Sequence, residues 1–201
     1  MTAIPPRVVC LSGSLAPDSR TERVVRWFAG RWTRQGGHCD LFTGDDLDFP
    51  FYRTEGPRPE PVTRYLDALS GADAVLLASP AYHCAVSGLL KNALDYVNDL
   101  RAAPQPFLDG RPVGCVAVSL GNQGGAAVLT SLRTVAHALR GWPTPLGVAL
   151  SGDTEVAADG RQVPEQVGGQ LEVMLAQMWR MAAPNARRRQ RAADPVPVAR
   201  G

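Results

Sequence analysis

The sequence predicts an α/β domain built on a doubly wound, five-stranded parallel sheet with helices on both faces. Three observations predict it. Short apolar runs alternate strictly with longer stretches of helical period, five of each. The clearest runs, within RVVCLSG and ADAVLLAS, are nearly continuously apolar rather than alternating, as strands buried on both faces are. The chain has 201 residues, 45% hydrophobic and 20% charged, which suits one ordinary globular core.

Arg7–Gly13 (RVVCLSG) reads as a buried strand that ends in a glycine turn. Ser19–Gln35 follows as a helix, with Val25, Phe28 and Trp32 on one face and Gly36-Gly37 as its stop. Ser19 and Glu22 match a capping box at its start. His38–Thr43 is the second strand. Gly44 to Glu60 is a long irregular segment rich in Pro, Gly and aromatics, and loops of that length inside compact domains tend to be functional. Pro61–Ser70 is a short helix, and Ala72–Ser79 (ADAVLLAS) is the most strand-like run.

Ser87–Leu100 is helical, with Leu90, Leu94 and Val97 aligned. Leu89, Ala93, Tyr96 and Leu100 form a second, partly apolar stripe on it, and a helix apolar on two sides calls for a second partner. Pro112–Leu120 is the fourth strand, Gly124–Arg140 a helix, and Leu146–Leu150 a short fifth strand. Pro164–Met181 is the last helix, with Val167, Leu171, Met174 and Met178 on one face. One domain is therefore expected over residues 1–181. Residues 182–201 show no apolar period and are expected to be a basic, disordered tail.

Charge excludes several functions. The net charge is +2, but five arginines against one aspartate give the tail +4, leaving −2 for the body. No basic folded face is expected, and so no nucleic-acid partner. Lys91 is the only lysine, and it follows Leu90 rather than a glycine, so there is no Walker A loop. Cys10, Cys39, Cys84 and Cys115 form no C-x-x-C pair, and no metal site is expected. No run is long and apolar enough for a membrane span, no signal peptide is visible, and a cytoplasmic location is expected.

In an open parallel sheet, ligands collect at strand carboxyl ends where the strand order reverses. Three loops fall there. Ser12–Thr21 carries hydroxyls at Ser12, Ser14, Ser19 and Thr21, with Arg20 among them, and leads into a helix N-terminus suited to a phosphate. Taken alone it reads first as a capped helix after a Ser-rich turn, since Ser and Thr are common N-caps. Ser79–Gly88 (SPAYHCAVSG) sets Tyr82 and His83 directly after a buried strand; His83 alone reads as a turn residue. Ser119–Gly125 (SLGNQGG) has three glycines that permit close backbone approach. Lys91 and Asp95 read as a surface ion pair, and His38 and His137 as structural.

Together these loops resemble the NAD(P)H-dependent FMN reductases of flavodoxin-like fold. The matching residues are the GSL…S-x-T pattern at Gly13–Thr21, SPAYHCAVSGLLKNALDYV at Ser79–Val97, and the SLGNQGG turn with its helix, within roughly residues 7–150. The pattern looks closest to the reductases that supply two-component monooxygenases. The resemblance implies an FMN phosphate held by Ser14, Ser19, Arg20 and Thr21. It implies an isoalloxazine edge along Pro80, Ala81, Tyr82 and His83, closed on the other side by Ser119, Gly121, Asn122 and Gly124.

Hydride would pass from NADPH or NADH to flavin N5, with no catalytic side chain expected. Reduced flavin would then serve a partner monooxygenase or another acceptor. The resemblance also implies a homodimer or homotetramer. Two departures stand out: Ala16 replaces a frequent Arg, and Cys84-Ala85 replaces a frequent Gly-Ser. Alternatives are a quinone, azo or metal-oxyanion reductase of the same fold, or a non-enzymatic flavodoxin-type electron carrier.

Overall fold

The computed structural model describes residues 4–152, 154–157 and 162–193. The strands are β1 (Arg7–Ser12), β2 (His38–Thr43), β3 (Ala74–Tyr82), β4 (Ala85–Val86), β5 (Pro112–Val118), β6 (Trp142–Pro143) and β7 (Val148–Leu150). The helices are α1 (Arg20–Arg34), α2 (Glu60–Ser70), α3 (Gly88–Tyr96), α4 (Asn122–Ala138) and α5 (Glu165–Ala193). The order across the sheet is β2-β1-β3-β5-β6.

Seven strands replace the expected five, but they fill five positions. β6 and β7 both pair parallel with β5, at Pro112–Val113 and Val116–Val118 respectively. The fifth position is one strand broken over residues 144–147, where Pro145 has no amide to give the ladder. β4 turns back antiparallel on β3 as a short hairpin.

Period-two alternation sorts the strand side chains between two cores. Val9, Leu11, Val75, Leu77, Val113, Cys115 and Ala117 face Tyr65 and Leu69 of α2, Leu90 and Leu94 of α3, and Val128 and Leu132 of α4. Val8, Cys10, Leu76, Val116, Val148 and Leu150 face Val24, Phe28 and Trp32 of α1 and Leu171, Met174 and Met178 of α5. Burial pushes the Cys115 thiol up to about 12.

Two expectations need correction. The second stripe of α3 is covered by the chain itself. Asn92 accepts from the Tyr52 amide at 2.8 Å and donates to the Phe49 and Pro50 carbonyls at 3.1 and 3.0 Å. The Tyr96 hydroxyl donates to Pro50 at 3.0 Å, and Phe49 packs on the Tyr96 ring. Ala93 and Tyr96 are buried in the core of this chain and Leu89 and Leu100 pack half-buried against it, so the stripe is no argument for a second copy.

The last helix also does not stop at Met181. It continues to Ala193, through Pro184. Ala182 and Ala186 extend the stripe of Leu171, Met174 and Met178, but they are too small to register as an apolar period. The Asn185 amide donates to the carbonyls of Asp73 and Gly110, both at 3.1 Å. Arg189 binds both oxygens of the buried Asp73 carboxylate at 3.2 and 2.9 Å, and the Arg7 amide donates to Asp73 at 2.8 Å. Residues 194–201 of the expected tail lie outside the described residues. No helix among the described residues is long and apolar enough to cross a membrane.

Candidate active site

β1 and β3 are neighbours whose chains leave in opposite directions across the sheet, so their carboxyl ends open a crevice. Gly13 sits at its root. Its amide donates to Ala78 at 2.8 Å. A Cβ there would lie 2.7 Å from the Leu90 Cβ and 2.6 Å from the Ser87 hydroxyl, so only glycine lets α3 come this close. The loop then runs to Ser19, which caps α1 by accepting from the Glu22 amide at 3.2 Å. The expected reciprocal bond is displaced by one residue: the Glu22 carboxylate accepts from the Asp18 amide at 3.2 Å. Arg26 pairs with that carboxylate at 2.5 Å and offsets its charge at the helix start. Hydrogen bonding to Arg23 holds the exposed Asp18 carboxyl below its usual range.

The donor set at this end fits a phosphate. The first-turn amides of α1 have no intrahelical acceptor, and the helix dipole favours an anion beside them. Ser14 and Thr21 are almost wholly buried there. The Ser12 hydroxyl, at the end of β1 on the α1 side of the sheet, is buried with no hydrogen-bond partner among the described residues. The Arg20 side chain, however, reaches across to the next loops. One nitrogen donates to the Ser119 carbonyl at 3.2 Å and another to the Gly152 carbonyl.

The second loop is the β3–β4 hairpin, with Ala81 opposite Val86 and Tyr82 opposite Ala85. Its base is tied by Ser79, which accepts from the Ser87 amide at 3.0 Å and donates to the Pro80 carbonyl at 2.8 Å. Its two tip residues, His83 and Cys84, have φ of 51° and 62°. A two-residue turn with both φ positive normally takes Asn-Gly.

The third loop follows β5. The Ser119 amide donates to Leu150 at 2.8 Å and its hydroxyl to Gly121 at 2.8 Å. The Ser151 hydroxyl donates to the Asn122 side chain. A Cβ on Gly125 would lie 2.9 Å from the Ser119 oxygen, which explains this glycine; a Cβ on Gly121 would meet open space.

These loops enclose an open cleft of about 270 Å³. Of the residues expected at the site, Ser14, Ser19, Arg20, Thr21, Pro80, Ala81, Tyr82 and Ser119 line it. His83, Gly121, Asn122 and Gly124 do not. His83 is at the exposed hairpin tip, and the other three form the start of α4, with Gly124 against Ala81. Ala16, which the sequence marks only as a departure from a frequent Arg, also lines the cleft, as do Val118 and Leu120, which the sequence does not mark. Tyr82 and Leu120 are exposed over 56% and 84% of their surfaces, leaving an apolar rim. Ser151 and Gly152 were missed as well. They follow the last strand, and the strand-end rule extends to them.

Residues 6–155 match the family model described as NADPH-dependent FMN reductase. The chain is 28% identical to an NADPH azoreductase of Bacillus sp. (strain OY1-2) over 176 residues, covering 85% of this chain and 93% of the relative. It is 30% identical to an NAD(P)H-dependent FMN reductase of Pseudomonas aeruginosa over 125 residues, 60% of this chain and 66% of the relative. In fold it is similar to FerB, a flavoenzyme NAD(P)H:(acceptor) oxidoreductase of Paracoccus denitrificans. The TM-score is 0.65 at 22% identity, over 88% of this chain and 98% of that one.

Proposed function

Because the chain belongs to the NADPH-dependent FMN reductase family, we propose that the cleft between the loops after β1, β3 and β5 is where it binds FMN for reduction by NAD(P)H. The observation that carries this placement is the first turn of α1 at the β1/β3 crevice, with Ser14, Ser19 and Thr21 lining the cleft. FMN, when bound, supplies the hydride chemistry; the chain supplies binding, orientation and hydrogen bonds. Ser14, Ser19, Thr21 and the first-turn amides of α1 hold the phosphate. The backbone from Pro80 to Tyr82 flanks the ring on one side, and Ser119 and Leu120 flank it on the other. Tyr82 and Leu120 form an apolar rim against which a second flat ring stacks. No side-chain acid, base or nucleophile takes part.

The reading extends to exchange of FMN and delivery of reduced flavin to a partner monooxygenase. Its support is electrostatic. Ala16 puts no charge in the phosphate loop, Arg20 is engaged by two carbonyls, and Arg23 is bound to Asp18 and Val156. The similarity to an NADPH azoreductase over most of both chains favours a second reading, in which FMN stays bound and an azo or quinone acceptor is reduced on the enzyme. Steady-state kinetics with varied FMN and NADPH separate the two. A sequential pattern is expected if FMN exchanges. A ping-pong pattern with added acceptor, and flavin retained through gel filtration, would establish the second reading instead.

A further inference from the structure

Arg20 is the first residue of α1, on the phosphate side of the cleft, yet its guanidinium spans to the opposite wall. It binds the Ser119 carbonyl at 3.2 Å and also the Gly152 carbonyl. Both acceptors belong to one hydrogen-bonded assembly. The Gly152 amide donates to Leu120 at 3.0 Å, and the Ser119 amide to Leu150 at 2.8 Å. The Ser119 hydroxyl holds Gly121, and Ser151 holds Asn122. Gly152 has φ +65°, a conformation that costs glycine little, and it carries the carbonyl that Arg20 engages. Arg20 and Leu120 line both the 270 Å³ cleft and an adjoining hollow of about 970 Å³, so the arginine is part of the partition between them.

We propose that Arg20 is a positioning residue for the ring-side wall and not the counter-ion of the flavin phosphate. Its planar fork offers two N–H groups in fixed relation, which suits two carbonyls from separate loops. Hydrogen bonds from a charged donor are the stronger kind, and two of them fix the start of the Ser119–Gly125 loop relative to α1. The proposal rests on FMN occupying this cleft. It assigns the phosphate to amides and hydroxyls alone, and it makes α1 the common support of both ends of the flavin.

The test is a flavin-fluorescence titration of the full chain with FMN and with riboflavin, for wild type, Arg20→Met and Arg20→Lys, beside thermal melts. Arg20→Met is expected to weaken both flavins by the same factor, about tenfold. The wild-type preference for FMN over riboflavin stays unchanged. Hydride transfer at saturating flavin also slows, because the ring wall is displaced. Arg20→Lys recovers part of the loss, since one ammonium reaches one carbonyl but not both. Loss of FMN affinity with riboflavin unaffected would overturn the proposal and make Arg20 the phosphate partner. Unchanged binding of both flavins by a folded variant would also overturn it. If Arg20→Met does not fold, the same comparison is made with Arg20→Lys and Arg20→Gln. A wild-type protein that binds neither flavin would instead remove the FMN reading on which the proposal rests.

Discussion

His83 and Cys84 occupy adjacent left-handed positions at the tip of the β3–β4 hairpin, where neither side chain is at ease. Each such position costs a non-glycine residue roughly 1–2 kcal/mol. Cys84→Gly is therefore expected to raise the melting temperature, by about 2–4 °C for each kcal/mol recovered in a chain of this size. A lower melting temperature would mean that the thiol makes a stabilising contact. For His83 the structure and the motif lead to the same expectation, that no catalytic side chain acts here. This residue is exposed and does not line the cleft, so His83→Ala should slow flavin reduction by no more than about tenfold. A fall of ~10²-fold or more, with FMN binding intact, would reveal proton chemistry at this residue. The sequence reads His83 taken alone as a turn residue, and the hairpin puts it at the exposed tip.

At the scale of elements, the strands and helices were legible where burial on both sides leaves an unbroken apolar signal. β5, buried along its whole length, starts at Pro112 as the sequence suggests, and α1 starts where Ser19 caps it. The misreadings share a cause. Ala182 and Ala186 are buried but small, and the anchors of that segment, Asn185 and Arg189, meet partners near residue 73. The second stripe of α3 meets the segment Phe49–Tyr52, more than 35 residues earlier in the chain. No local pattern reports such partners.

The anchor at Asp73 yields a prediction opposite to that of a dispensable tail. Ending the chain after Ala183 removes Asn185, Ala186 and Arg189 and leaves the buried Asp73 carboxylate, among the described residues, with the Arg7 amide as its one hydrogen-bond donor. The loss is expected to be about 2–4 kcal/mol, below the full cost of breaking a buried pair because Arg189 is partly exposed. Thermal melts of chains ending at Ala183 and at Ala193 check it. Equal melting temperatures would show that the last turns of α5 contribute nothing.

For the whole molecule, the strand order places three helix starts, those of α1, α3 and α4, at the carboxyl edge of the sheet, and the cleft lies among them. This much follows from alternation of elements alone, without any single diagnostic residue. The cleft's closure does not. It depends on Arg20 meeting Ser119 and Gly152, which are far apart in sequence. A homodimer or homotetramer remains a proposal resting on family likeness. Phe51, exposed over 88% of its surface, is an apolar side chain that such a contact would cover. Light scattering at micromolar concentration is expected to show the oligomer, and a monomer would remove it.

In the proposed function this cleft binds FMN by its phosphate and presents it to NAD(P)H. Anaerobic mixing of the purified protein with NADPH or NADH and either FMN or riboflavin, followed by the loss of flavin absorbance, is the decisive measurement. Bleaching is expected with at least one nicotinamide nucleotide, with half-saturation at roughly tenfold lower FMN than riboflavin, the worth of one charge-assisted contact or more. No bleaching with either nucleotide, or equal saturation by the two flavins, would contradict it.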